Sequence, residues 1–438
     1  MLKKFSKPER AWIMYDWANS AQSSIIVAIL LPILYKNIAV ASGLDKTLAT
    51  SYWGYASSLA SLLVALAAPV LGTLGDYMGL RKRMFAGFLW VGVGATALLT
   101  FAPGWVSILA LFALSCIGFY GANIYYDSML VDVTTPERMD LVSTAGYSFG
   151  YIGGSTIPLV IALALYATAS LWAPLFSLEA EAAGNLAMRF SCLLTALWWA
   201  WYSRPILRDV EQLHGAPRDG LSAGALIRGS FASLRETFRN IRSYKSLFAF
   251  LLAYFFYIDG VGTIIHMATV FGDDMGINQL GMMSVLLVVQ LVAFPCAYLY
   301  GMLAKRFSTR TMILVGIVTY IVVCLVGFTL HSLLDFLILG FLVGTAQGGI
   351  QALSRSYFGK LVPPDHANEF FGFFDIFGKF SSVMGPALFG FAIQLASQAG
   401  LDGAAASRWG ILSVVIMFII GGGIFLAAVP PEKKQSSR

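Results

Sequence analysis

Three ionisable residues interrupt apolar runs of this 438-residue chain: Asp259, Asp375 and Lys379. A charge inside a membrane segment is costly. It is tolerated mainly where it faces a bundle interior or a water-filled path. Lys379 follows Asp375 by four residues, so the two share one helix face and can pair. Asp259 has no such partner in its own run, so it can take up and release a proton. The chemistry on offer is ion pairing with a charged solute and proton exchange. The pair could equally close on itself and only fix packing, and Lys379 could instead hold Asp259. Bond-making chemistry is not expected. The sequence has no nucleophile–base arrangement, Walker loop or metal-ligand spacing. Neither an enzyme nor a nucleotide-driven pump is expected, and no cofactor.

Further polar residues fall at helical spacing. Asp16, Asn19, Ser20 and Ser23 form one stripe, and Asn123 with Asp127 a second. Asp259, Thr263 and His266 form a third, and Gln347, Gln351 and Arg355 a fourth. Depth separates them. Counted from the near end of its run, Asp259 lies ~21 Å in, Asp375 ~10 Å and Lys379 ~16 Å. In a hydrocarbon core ~30 Å thick these three are central or nearly so. Asp16 and Arg355 lie within about a turn of the surface, and Asp127 is slightly deeper. These suit a gate. His266 reads as an interfacial histidine.

The elements that must carry these residues are membrane helices. The chain is 58% apolar and 12% charged. A soluble protein has about a quarter of its residues charged. Twelve spans are expected, at 12–36, 50–74, 84–102, 105–130, 141–168, 185–204, 245–270, 277–300, 311–330, 333–359, 368–396 and 407–429. An even count puts both termini on one side. Of the 29 Lys and Arg, only Lys36, Lys46, Arg189 and Arg408 fall on the other side, with Lys379 inside a span. The positive-inside rule makes the terminal side cytoplasmic. This also accounts for the net charge of +6 without a nucleic-acid partner. Cys116, Cys192, Cys296 and Cys324 all lie in expected spans and read as small packing residues. The basic start MLKKFSKPER leads into a retained first helix, because no small-residue cleavage site follows.

The chain is expected to be duplicated. Residues 135–158 lie over 363–386 without a gap, so that Pro136 meets Pro364, Gly150 meets Gly378 and Pro158 meets Pro386. The same register lays Asn123 on Gln351 and Asp127 on Arg355, which suggests a salt bridge across the halves at the inner mouth. The expected organisation is a six-helix half at 1–204, a linker at 205–244 and a second six-helix half at 245–438. The linker contains Gly215, Pro217 and Gly220. Within it Ile227, Phe231, Leu234, Phe238 and Ile241 repeat at helical spacing among Arg228, Arg235, Arg239 and Arg242. Two readings stay open: an amphipathic helix on an anionic leaflet, or a plain connector.

Residues 72–83 read GTLGDYMGLRKR, and residues 301–310, GMLAKRFSTR, repeat the pattern with Lys305 where Asp76 would be. Glycines permit the turn, Asp76 can face a helix N-terminus, and Arg81 can hold a carboxylate. This stretch resembles the signature loop of the major facilitator superfamily, with Leu80 interposed before the basic pair. Within that superfamily, Tyr15-Asp16-Trp17-Ala18-Asn19-Ser20, the QALSRS and EFFGFFDIFGKF stretches, and Asp259-Gly260 resemble the vacuolar amino-acid effluxer branch associated with autophagy. The resemblance implies an all-α polytopic membrane protein, with twelve transmembrane helices in two six-helix repeats. It also implies that the first, fourth, seventh and tenth spans line the cavity. Asn19, Asn123, Thr263, Gln347 and Gln351 would then be lining residues. Asp16, Asp76, Arg81, Asp127 and Arg355 would form the cytoplasmic gate.

The expected function is secondary transport by proton-coupled alternating access. The solute is small and polar or charged, with an amino acid or short peptide leading, and symport is the expected mode. Sodium is the alternative coupling ion. Asp259, Asp375 and Lys379 are the expected coupling or substrate residues. A second reading is export of an amphiphile, served by the Phe370, Phe371, Phe373, Phe374, Phe377 and Phe380 cluster. A third is a membrane sensor that moves nothing. The expected partners are the lipid bilayer, a small-molecule substrate and a proton. The chain is expected to work as a monomer in a bacterial inner membrane.

Overall fold

The computed structural model describes residues 2–217, 222–239, 244–277, 279–401 and 403–430. Of the linker residues named above, Gly220, Ile241 and Arg242 lie outside these ranges, as does the side chain of Phe238. The side chain of Phe380 also lies outside the description. Where water is scarce, a helix satisfies every backbone polar group internally. Accordingly the described residues hold no strand, and one isolated bridge joins Tyr77 to Ala216.

The first six long helices are α1 (Lys7–Ala41), α2 (Lys46–Gly75), α3 (Leu80–Phe101), α4 (Trp105–Val133), α5 (Pro136–Ala167) and α6 (Ala180–Tyr202). A linker helix, Ala223–Arg239, follows. Then come α7 (Lys245–Asp274), α8 (Gln279–Phe307), α9 (Thr309–Phe328), α10 (Leu333–Leu361), α11 (Ala367–Gln398) and α12 (Gly403–Ala428). Some of their starts are locally encoded. Ser6 and Glu9 close a capping box ahead of α1, and Asp45 caps α2.

Among the described residues, 11 helices are long and apolar enough to cross a membrane. Helix α6 carries the sixth expected span. At 23 residues it is long enough to cross, but it is not among the 11 because Asn185 and Arg189 dilute its apolar run. Arg189 donates to the carbonyls of Thr100 (3.2 Å) and Ala102 (2.7 Å), which end α3. On α2, Leu59, Leu62, Leu63 and Leu66 are all exposed, Leu66 by 65%. A continuous apolar surface of this kind fits lipid rather than water.

The chain divides into two compact units. Unit 1 comprises residues 1–133, 149–227 and 364–372, and unit 2 comprises 134–148, 228–363 and 373–438. The first residues of α5 therefore belong to unit 2, and the first residues of α11 to unit 1. In unit 1, α1 and α5 are interrupted by π-helical stretches at Gln22–Ile29 and Gly150–Thr156 that touch each other. A Cβ on Gly153 would sit 1.9 Å from the Trp17 ring, so only glycine permits this approach. In unit 2, α8 packs along α10, and α7 along α12.

Candidate functional site

Asp259 lies deep in α7 and is 0% exposed. Its Oδ2 accepts the amide N–H of Gly385 on α11 at 2.8 Å. Its Oδ1 has no hydrogen-bond partner among the described residues. One turn on, the Thr263 hydroxyl donates to the Asp259 carbonyl at 2.8 Å. A Cβ on Gly385 would fall 1.8 Å from Thr263 Oγ1 and 2.8 Å from Asp259 Oδ1. The missing side chain is what lets the α11 backbone reach the carboxylate. Lys379 forms its ion pair with Asp375 on the next turn of α11. The contacts thus give Asp259 a backbone amide, and Asp375 the lysine.

Thr263 and Gln347 share a recess of about 60 Å³. Met267, Phe271, Met282, Val289 and Phe336 are among its walls, and Thr263 and Gln347 are the only polar lining residues among the described ones. Gln351 is half-buried one turn further along α10. Arg355 is 3% exposed. Its Nε donates to Ser143 Oγ at 3.0 Å, one Nη donates to the Ser143 carbonyl at 3.2 Å, and the guanidinium lies 4.6 Å above the Tyr147 ring. His266 is exposed.

In unit 1, Asn19 Nδ2 donates to Asn123 Oδ1 at 2.9 Å, joining α1 to α4. Gln22 donates to Ser115 at 3.3 Å one turn deeper. Asp16 is 9% exposed, and its carbonyl accepts the Ser20 hydroxyl at 2.7 Å. Asp127 is half-buried near the end of α4.

The turn between α2 and α3 carries a dense polar network. Asp76 is 6% exposed. Its Oδ1 accepts the amide of Asn368 (2.8 Å) and its side-chain Nδ2 (3.1 Å), and its Oδ2 accepts the amide of Glu369 (3.0 Å). A carboxylate here meets the free N–H groups that open α11. Arg81, 0% exposed, lies 3.8 Å from Asp76 and is ion-paired with Asp132. Outside the spans, burial pushes the Asp76 carboxyl up to about 7, while Arg81 and the amides of Asn368 and Glu369 pull it down.

The start of the linker is strapped to this turn. Gln212 accepts from the amide of Gly79 (2.9 Å) and donates to the carbonyls of Gly75 (3.1 Å) and Tyr77 (3.3 Å). Met78 N–H donates to the Ala216 carbonyl at 2.9 Å, and Ala216 N–H to the Asp76 carbonyl at 2.8 Å. Asp132 Oδ1 accepts the amides of Leu213 (3.1 Å) and His214 (3.2 Å), with the His214 ring nitrogen Nδ1 at 3.0 Å.

Unit 2 contains a counterpart built with different charges. A shift of 228 residues, the one that lays Pro136 on Pro364, also lays Ser128 on Ser356, Asp132 on Lys360, Asp140 on Asn368 and Arg81 on Thr309. In unit 1, Ser128 donates to the Asn368 side chain. In unit 2, Ser356 donates to Asp140 at 2.6 Å. Arg81 pairs with Asp132 in the first, while Lys360 donates to Thr309 at 2.8 Å and to Asp140 at 2.7 Å in the second. Unit 1 holds two carboxylates, Asp76 on the turn and Asp132 on α4, where unit 2 uses Asp140 near the start of α5. Sequence inspection passed over Asp132, Asp140, Lys360, Gln212 and His214. The offset of 228, read past the ends of the expected spans, would have picked out the first three.

A family profile described as vacuole effluxer Atg22 like matches residues 6–436. An uncharacterized MFS-type transporter of Bacillus subtilis (strain 168), YxiO, is 45% identical over 434 residues, which is 99% of this chain and 97% of that protein. Autophagy-related protein 22-1 of Aspergillus clavatus is 25% identical over 294 residues, which is 61% of this chain and 47% of that protein. The chain thus aligns with about half the length of this fungal relative. Among solved structures, the human organic anion transporter MFSD10 (TETRAN) matches with a TM-score of 0.65 at 15% identity, covering 95% of this chain and 99% of that one. The major facilitator transporter FucP, in its outward conformation, matches with a TM-score of 0.67 at 14% identity, covering 94% and 97%. At these identities the likeness shows the fold, which is that of the major facilitator superfamily.

Proposed function

Because the chain belongs to the vacuole effluxer Atg22-like family of major facilitator transporters, we propose that it is a secondary active carrier coupled to protons through Asp259. It is an integral, multi-pass membrane protein and a carrier, not an enzyme. The observation that carries the coupling proposal is a fully buried carboxylate whose Oδ1 has no hydrogen-bond partner among the described residues. A bare charge away from water is strongly disfavoured. A carboxyl of this kind can be carried as the neutral acid in one conformation and released as the anion in another.

In this reading the solute is small and polar or charged, and an amino acid or short peptide leads. The Asp375–Lys379 pair offers both signs to a zwitterion. The termini lie in the cytoplasm, as the distribution of Lys and Arg supports. The proposed mode is proton symport across a bacterial inner membrane. Asn19, Asn123, Thr263, Gln347 and Gln351 line the path, and Asp16, Asp76, Arg81, Asp127 and Arg355 control its inner end. One observation favours a second reading. The described walls of the recess in unit 2 are apolar apart from Thr263 and Gln347, which suits the tail of an amphiphile better than a polar solute.

The test is proton flux into proteoliposomes holding a pH dye, with pools of amino acids, short peptides or amphiphiles added outside. The expected outcome is a pool-dependent pH change that Asp259→Asn abolishes. Flux that Asp259→Asn leaves intact would sink the assignment of Asp259. A response to amphiphiles alone would favour the second reading.

A further inference from the structure

The linker helix Ala223–Arg239 has two different faces. Leu226, Ser230, Leu234 and Thr237 are buried. Ile227 and Phe231 are 46% and 57% exposed. The apolar series expected from the sequence therefore splits, with Leu234 turned inward and Ile227 and Phe231 turned out. At about 100° per residue, Phe231 stands about 40° from Ile227, and Arg235, Arg228 and Arg239 follow at about 80°, 100° and 120°. All three arginines are exposed. The outer face is thus an apolar ridge with a basic ridge beside it, and Glu236 is the one acidic residue of the helix. An apolar edge flanked by Arg is the pattern of a helix lying in a lipid headgroup layer.

The chain also fixes where this helix can be. Residue 239 is six residues from Lys245, which opens α7. Six residues reach at most about 20 Å. The start of a membrane-crossing helix lies at the membrane surface, so the C-terminal end of the linker helix is held within that reach of the surface.

We propose that the outer face of the linker helix docks onto an anionic lipid leaflet. Ile227 and Phe231 enter the boundary between headgroups and acyl chains, and Arg228, Arg235 and Arg239 contact lipid phosphates. This docking depends on neither the transported solute nor the coupling ion. The test is amide hydrogen exchange across 223–239 in the full-length protein, reconstituted in phosphatidylcholine alone or with phosphatidylglycerol added. Exchange should slow when phosphatidylglycerol is present. Each arginine removed should lower the docked fraction relative to the undocked about five-fold. The R228Q/R235Q/R239Q variant should lose the phosphatidylglycerol effect, and so should I227S/F231S. Equal exchange in the two membranes, or an effect that survives in R228Q/R235Q/R239Q, would overturn the proposal.

Discussion

Asp76 shows how one side chain joins local structure to pH. It is buried, yet it faces Arg81 and the amides of Asn368 and Glu369. Burial wins and holds its carboxyl at about 7, above the roughly 3.9 of an unfolded aspartate. The folded state then binds this proton more tightly than the unfolded one. The stability it contributes is complete below about pH 4 and is lost as pH rises through about 7. The melting temperature in detergent should therefore fall between about pH 6 and pH 8, and Asp76→Asn should flatten that slope. A slope unchanged in Asp76→Asn would assign it to another group. Asp76 was legible in the sequence because its loop repeats. Asp259 and the Asp375–Lys379 pair were legible because a charge in an apolar run stands out.

The strap of residues 210–216 behaves as an element, although it has almost no secondary structure. Most of its bonds use backbone groups of the α2–α3 turn, with Gln212 at their centre. Gln212→Ala would take partners from the exposed amide of Gly79 and from the carbonyls of Gly75 and Tyr77 in part-buried bonds, at about 0.5–1.5 kcal/mol for each bond. Limited proteolysis within 210–217 should quicken in that variant, with the long helices intact. Unchanged cleavage would show that the strap is held by other bonds. No sequence signal pointed to it, since backbone amides look alike at every position. The π-helical stretches of α1 and α5 were hidden for a similar reason. The long helices were legible because each had to supply an apolar run. Helix α6 is the weakest of these runs because Arg189 serves the end of α3.

At the scale of the molecule, the two units repeat one contact with different chemistry. Ser128 donates to Asn368 in unit 1, and Ser356 donates to Asp140 in unit 2. Ser128→Ala and Ser356→Ala should each cost about 1 kcal/mol. Because they lie in separate units, the double variant should lose the sum to within about 0.5 kcal/mol. Denaturation of the three variants in detergent would measure this, and a clear departure from additivity would mean that the two contacts act as one. The repeat register made this pairing readable in principle, but the exchange of segments was not. Nothing in residues 364–372 marks them as part of unit 1. That exchange bears on biosynthesis. Domains usually close in the order they leave the ribosome, but unit 1 here lacks a piece of itself until residue 372 has been made. All the residues of unit 1 are therefore present only after most of the second half has been translated.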